Sequence, residues 1–205
     1  MGILSQLREK PWIQPDGAAL LKAGPSISRP TTEVGLLFFL ATITALFTLL
    51  LISYNGRLLL GNDWVPVPDP GLLWVNTTLL ILSSVAIHRA RKQARALQID
   101  GVRRNLLVAG LLTFCFLAGQ TVASLQLFKL GYYVSDNPAN AFFYLLTGLH
   151  ALHLIGGLFV WTRTQFRAQR GADLSKVTPS VELCAIYWHY LLVVWLIIFV
   201  LLLTT

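Results

Sequence analysis

Apolar residues form five long runs along the chain, separated by short polar or basic segments. The runs cover residues 33–54, 72–87, 105–128, 141–163 and 180–203. About twenty predominantly apolar residues cross the hydrocarbon core of a bilayer as a helix. The pattern therefore predicts an all-α, polytopic membrane protein with five transmembrane helices. Residues 1–32 are polar and interrupted by proline and glycine, so we expect an N-terminal cytoplasmic arm over 1–32 and a five-helix bundle over 33–205.

Composition and charge support a membrane location and indicate an orientation. Only 12% of the residues are charged and 55% are hydrophobic, whereas a soluble domain carries about 25% charged residues. Fourteen of the sixteen Lys and Arg residues lie in the N-terminal arm and in the connections after the second and fourth runs. Basic connections remain on the cytoplasmic side, which predicts the N-terminus inside and the C-terminus outside.

These basic connections flank apolar runs, so we expect no nucleic-acid partner despite the net charge of +7. Basic residues beside a membrane span attract anionic phospholipids. The predicted head-group contacts are Arg89, Arg91, Lys92, Arg163 and Arg167.

The fourth run, AFFYLLTGLHALHLIGGLFVWTR, carries two histidines near its middle. On a helix, His150, His153 and Gly157 fall within roughly 60° of one another. Polar side chains are costly in hydrocarbon, so this face should contact protein. Gly148, Gly156 and Gly157 would let a neighbouring helix approach closely. The run is therefore interpreted as a packing helix.

Acidic residues are absent from the middle of every run, with Glu33 and Glu182 at run edges. Pumps and cation carriers usually hold a carboxylate in the membrane, so autonomous transport is not expected. The chain also contains no glycine-rich phosphate loop, nucleophile elbow, paired CxxC or HExxH motif. We predict no catalytic residue, no cofactor site and no metal site in this chain.

A haem held by two histidines is the alternative to this interpretation. His153 lies about 18 Å from the outer edge of its run, and His189 lies about 14 Å from the cytoplasmic edge of the fifth run. These depths nearly coincide in a core about 30 Å thick, so axial ligation is geometrically allowed. No carboxylate or thiolate joins the histidines, which favours hydrogen-bonded core residues instead. A free-standing cytochrome or a small membrane carrier remains the corresponding alternative function.

Three stretches resemble subunit III of the haem–copper oxidases. FFYLLTGLHALHLIGGL (142–158) is similar to that family's F-(F/Y)-x-x-T-G-x-H-x-x-H-x-x-x-G segment, and YWHYLLVVW (187–195) is similar to its Y-W-H-F-x-x-V-V-W segment. WVNTTLLILSSVAIHRARK (74–92) resembles the N-T-x-x-L-x-x-S-S helix and the basic loop that follows it. The five-span length resembles bacterial forms that lack the first two helices of the family.

The resemblance implies a non-catalytic subunit of a respiratory complex in the bacterial cytoplasmic membrane, one that reduces oxygen and translocates protons. Such a subunit stabilises the haem- and copper-bearing core and holds phospholipid. The implied partners are oxidase subunit I as the main contact, subunit II and a small subunit IV, with haem and copper in those partners. The motif residues implied to pack and to form hydrogen bonds are Gly148, His150, His153, Gly157, Trp188, His189 and Trp195.

Departures from the family pattern favour a structural role over a proton-linked one. Ile43, Ala123, Ser124 and Leu192 stand where many relatives carry an acidic residue. A related alternative is the subunit III-like accessory protein of nitric oxide reductases, which shares the five-span form. The choice between cytochrome c and quinol as electron donor should belong to another subunit.

Overall fold

Five α-helices and no strand make up the part of the chain that the computed structural model describes, residues 31–61, 64–65, 71–171 and 174–204. The helices are α1 (Thr31–Leu60), α2 (Leu72–Arg95), α3 (Ile99–Lys129), α4 (Pro138–Gln169) and α5 (Leu174–Thr204). All five are long and apolar enough to cross a membrane, which confirms the predicted all-α polytopic fold. The predicted arm, 1–32, lies outside the described residues except for its last two, which begin α1.

The chain divides into two compact units, Met1–Gly35 and Leu36–Thr205. All contacts given below lie within the second unit. There α2, α3, α4 and α5 pack in a ring, in which α2 contacts α3 and α5, and α4 contacts the same two helices. The interior of this four-helix ring is filled mainly by large side chains, including Trp188, Trp195, Phe116 and Phe143.

Helix α1 lies outside the ring and contacts α4 and α5 through side chains. The ring of Phe47 packs 5.6 Å from that of His153. Nearer the end of α1, Tyr54 lies 5.4 Å from Phe142, edge to face. Most of α1 is exposed: its most apolar stretch is 17% buried, against 39–44% for the other four helices.

The helices extend beyond the apolar runs. The basic segment predicted between the second and third runs is largely helical, because α2 continues to Arg95 and α3 begins at Ile99. Lys, Arg, Gln and Ala are good helix formers, and long basic side chains can reach from a helix end to the membrane surface. The three-residue turn between α2 and α3 is made by Leu97 at φ 57° and by a hydrogen bond from the Gln98 N–H to the Gln93 carbonyl.

The start of α4 is set by its sequence. Asn137 precedes the helix, and its side-chain oxygen accepts a hydrogen bond of 3.0 Å from the Ala139 N–H. Pro138 occupies the first helical position, where its fixed φ and missing N–H cost nothing. At the other end, Gly171 at φ +74° ends the helix. These ends place the two histidines of α4 in the middle third of the helix.

Candidate functional site

The interior of the ring is organised around two tryptophans of α5. The indole N–H of Trp188 donates to Ser83 Oγ of α2 at 3.1 Å and to Thr113 Oγ1 of α3 at 3.2 Å. The two hydroxyls lie 2.8 Å apart, and both bond to the carbonyl of Ala109. One buried polar cluster therefore joins α2, α3 and α5, and its hydroxyls and indole N–H all have partners.

The second tryptophan forms a layer two turns along α5. Trp195 donates from its indole N–H to Thr77 Oγ1 at 3.0 Å. Its ring lies 4.9 Å from Phe116, edge to face, and 5.1 Å from His150. His150 is fully buried, and neither ring nitrogen has a hydrogen-bond partner within the described residues. The ring of this motif histidine therefore lies between aromatic side chains of α3 and α5.

An amide pair occupies the same part of the ring. Asn76 of α2 donates from Nδ2 to Gln120 Oε1 of α3 at 3.3 Å. Gly119 lies beside this pair, and a Cβ there would overlap the Asn76 side chain. The pair leaves two buried amide atoms, Asn76 Oδ1 and Gln120 Nε2, without a partner among the described residues.

His153 and His189 have different neighbours, although their similar predicted depths in the membrane would allow both to bind one haem. His153 Nδ1 lies 2.7 Å from the Leu149 carbonyl of its own helix, and its ring packs on α1. His189 Nδ1 lies 2.6 Å from Ser84 Oγ of α2, and its ring is 5.6 Å from that of His88. The two rings face α1 and α2, so a single haem between them would require both to turn. Within the described ranges, no three His, Cys, Asp or Glu side chains form a group that could hold a metal ion.

The three glycines predicted to allow close approach lie on two different faces of α4. A Cβ at Gly157 would lie 2.7 Å from Tyr187 Cε1 and 3.3 Å from the Trp188 ring, so this glycine lets α5 approach. A Cβ at Gly148 or Gly156 would meet nothing within 4 Å. These two glycines therefore face outward, and no described residue fills the space beside them.

Basic side chains gather at one end of the ring, where α2 and α4 end and α3 begins. Arg103 of α3 donates from Nε to the Ala168 carbonyl near the end of α4 at 2.8 Å, and Arg95 pairs with Glu182 of α5 at 2.7 Å. The predicted head-group residues lie at this end: Arg89, Lys92, Arg163 and Arg167 are exposed and Arg91 is half-buried.

Sequence reasoning did not single out two glycine positions that the packing requires. A Cβ at Gly110 of α3 would overlap the ring of Trp161 of α4, whose N–H bonds to the Leu106 carbonyl at 2.9 Å. Gly119 makes room for Asn76 in the same way. A glycine in a membrane helix indicates that another segment approaches its backbone closely. The sequence does not say which segment, because that depends on the rotation of the helix.

The sequence is similar to known proteins of one family. The family model for cytochrome c oxidase subunit III matches residues 30–204. A cytochrome c oxidase subunit 3 from Synechocystis sp. is 30% identical over 172 residues, which cover 82% of this chain and 72% of the relative. One from Thermostichus vulcanus is 31% identical over 173 residues, or 82% and 85% of the two chains. A probable cytochrome c oxidase subunit 3 from Mycobacterium bovis is 29% identical over 192 residues, or 89% and 93%.

The family match covers all five helices, and the three motifs that resemble it supply the buried contacts of α2, α4 and α5 described above. Helices that could cross a membrane, together with this match, show a multi-pass membrane protein that associates with other oxidase subunits. The chain belongs to the cytochrome c oxidase subunit III family and is a subunit of a haem–copper oxidase.

Proposed function

We propose that this chain is a non-catalytic subunit that stabilises the haem- and copper-bearing core of the oxidase and holds phospholipid at its surface. The observation that carries this proposal is that the motif side chains form hydrogen bonds and aromatic contacts inside the ring. Trp188 and Trp195 donate to hydroxyls of α2 and α3, and His150 packs between aromatic rings. Residues bonded in this way make a rigid body rather than a site open to a substrate.

The placement of carboxylates supports a structural role. In the described part of the chain, Glu33 and Asp100 lie in the first turns of α1 and α3, Asp136 precedes α4, and Glu182 lies in the third turn of α5, where it pairs with Arg95 at the end of α2. Proton and cation pathways through a membrane usually need an ionisable group at mid-depth. We also propose that the haem and copper of the complex lie in partner subunits. We propose subunit I as the main partner, with subunit II and a small subunit IV also in the complex.

The basic end of the ring supports a proposed orientation and a proposed contact with lipid. We place this end on the cytoplasmic side of a bacterial cytoplasmic membrane, because Lys and Arg near spans stay inside. The exposed side chains of Arg89, Lys92, Arg163 and Arg167 would then meet the phosphates of anionic phospholipids. The chain thus contributes both a rigid membrane body and a set of head-group contacts.

The test of the proposal is isolation of the intact complex through a tag on this chain, with its companions identified by mass spectrometry. We expect a haem- and copper-bearing core with oxygen-reducing activity. A complex that lacks this chain should keep its haem spectrum and initial rate but lose activity sooner at elevated temperature. Loss of the haem spectrum in that complex, or purification of the chain without haem subunits, contradicts the proposal. A nitric oxide-reducing core would instead identify the related accessory protein.

The lipid part is tested by neutralising the basic end. The double variant Arg89→Gln/Lys92→Gln should lower the anionic phospholipid retained by the purified complex. The matched control is Lys129→Gln, which removes an exposed basic residue at the other end of α3. If both variants retain as much phospholipid as the unmodified complex, the head-group assignment is wrong.

A further inference from the structure

A groove of about 290 Å³ runs along the outer surface of the ring, between α3 and α4. On α4 its residues follow one helix face over three turns, from Tyr144 to Ile155, which spans about 16 Å. The residues that matter for its use are Gln120, Tyr144, Thr147, Gly148, Ala151 and Ile155. The groove is long enough to seat several turns of another helix.

The side of the groove formed by α4 is shaped by Gly148, whose open side is not used in the packing of the described residues. A Cβ added at Gly148 would meet nothing within 4 Å, whereas the equivalent space at Gly157, on the inner face of the same helix, is filled by Tyr187. Ala151 and Ile155 continue the outward face at the spacing of a helix. Small residues on a membrane helix let a second helix approach the backbone closely. A chain outside this ring would gain that approach at Gly148.

The floor of the groove holds a polar side chain with unmet hydrogen-bonding capacity. Gln120 is 4% exposed, and its Nε2 has no partner within the described residues. The neighbouring hydroxyls of Thr121 and Ser124 bond to carbonyls of their own helix, and Tyr144 bonds to the Ser124 and Tyr132 carbonyls. Gln120 therefore differs from the other polar groups along the groove.

The depth of Gln120 decides what can satisfy it. The residue lies nine positions before the end of α3, or about 14 Å along the helix. Lipid phosphates and ester oxygens stay near the membrane surface, and acyl chains offer no polar atom to bond. A polar side chain on a neighbouring helix can lie at this depth, and Gln120 is one of the residues that line the groove.

We infer that the groove between α3 and α4 receives a transmembrane helix of a partner oxidase subunit. That helix packs against Gly148 and Ala151 and presents an Asn, Gln, Ser or Thr side chain to Gln120. The inference rests on the proposed function, because it supplies the surface by which the subunit joins the complex. A lipid acyl chain is the competing occupant.

The first experiment fills the groove in the intact complex. The variant is Gly148→Leu, and its control is Gly156→Leu, an equally open glycine on α4 that does not line the groove. The complex is captured through a tag on its haem-bearing subunit, and the amount of this chain that remains is measured. We expect at least a tenfold loss for Gly148→Leu and less than a twofold loss for Gly156→Leu, with both variants present at normal levels in the membrane.

A second experiment identifies the occupant by crosslinking. Benzophenone-4-maleimide is attached to Ile155→Cys, at the groove, or to Val160→Cys, an exposed position of α4 outside it. The exposed native Cys115 is replaced by Ser in both. Irradiation of the assembled complex should join the chain to another oxidase subunit from position 155 and not from position 160.

The outcomes separate this inference from the proposed function. If the unmodified chain does not stay with the haem-bearing subunit, the proposed function itself fails. If it stays and Gly148→Leu stays equally well, the docking surface is assigned wrongly. Equal loss of both leucine variants also contradicts it, because the effect is then not specific to the groove. Loss of phospholipid from Gly148→Leu with the partner retained, or crosslinks from position 155 to lipid alone, identifies a lipid groove instead.

Discussion

Replacing Trp188 by Phe should destabilise the ring by roughly 2 kcal/mol. The indole N–H reaches two acceptors, Ser83 Oγ at 3.1 Å and Thr113 Oγ1 at 3.2 Å, and the side chain is 1% exposed. A hydrogen bond inside a membrane protein contributes about 0.6 kcal/mol on average and about 1.7 kcal/mol at most. The smaller phenyl ring leaves a cavity between three helices, which adds about 1 kcal/mol.

A double-mutant cycle separates these two contributions. In the background Ser83→Ala/Thr113→Val both acceptors are gone and the indole N–H is left unpaired, so Trp188→Phe should then cost no more than the cavity. The difference between the two backgrounds measures the hydrogen bonds, and we expect about 0.6–1.7 kcal/mol. The free energy of unfolding is measured in mixed detergent micelles by far-ultraviolet circular dichroism, which does not depend on tryptophan fluorescence.

The matched control is Trp74→Phe, the same substitution at an exposed position of α2. Trp74 is 59% exposed and packs edge to face on Phe199 at 4.9 Å, a contact that a phenyl ring can keep. Its cost should stay below about 0.5 kcal/mol. Two results would refute the conclusion that the Trp188 hydrogen bonds join α2, α3 and α5. One is an equal loss of unfolding free energy at both tryptophans. The other is no difference between the two backgrounds of the cycle.

Three further changes test other parts of the ring. Gly157→Leu should lower the free energy of unfolding by about 1–3 kcal/mol through overpacking. Gly156→Leu should change it by less than about 0.5 kcal/mol. Equal effects would contradict the placement of these two glycines on different faces of α4. His150→Phe should leave the haem spectrum of the complex unchanged. It should alter the free energy of unfolding by less than about 1.5 kcal/mol, because a buried ring without hydrogen bonds is replaced by an apolar ring. A missing haem band would show that His150 is a haem ligand. Glu182→Gln should lower the free energy of unfolding by less than about 1 kcal/mol in low salt and by still less in high salt, because the ion pair with Arg95 is partly exposed. A larger decrease that salt does not reduce would show that the ion pair is buried.

The number and type of helices could be predicted from the apolar runs, because membrane hydrocarbon leaves few alternatives for the backbone. Helix ends could not. The basic residues after Ile87 indicate a connection between spans, yet α2 continues to Arg95. Charge indicates that a segment has left the hydrocarbon, and it does not indicate that the helix has ended.

Partners inside the ring were also beyond prediction from one sequence. Gly148 and Gly157 belong to the same motif, yet one faces outward and the other contacts Tyr187. The tryptophans could equally have marked the membrane surface, since nothing local specifies Thr77 or Ser83 as their acceptors. These pairings depend on the rotation of each helix, which only the packing of all four determines.

The closed arrangement of α2 to α5 bears on the order in which the protein assembles during synthesis. α5 leaves the ribosome after α2, α3 and α4, yet it supplies the indole donors of Trp188 and Trp195 and lies against α2. The earlier helices can enter the bilayer and α2 can pair with α3. The hydroxyls of Ser83 and Thr77 accept no bond from an indole until α5 has been synthesised. Translation that stops before Trp188 would leave an open groove where the last helix belongs, so quality-control proteases could distinguish such a fragment from the finished subunit.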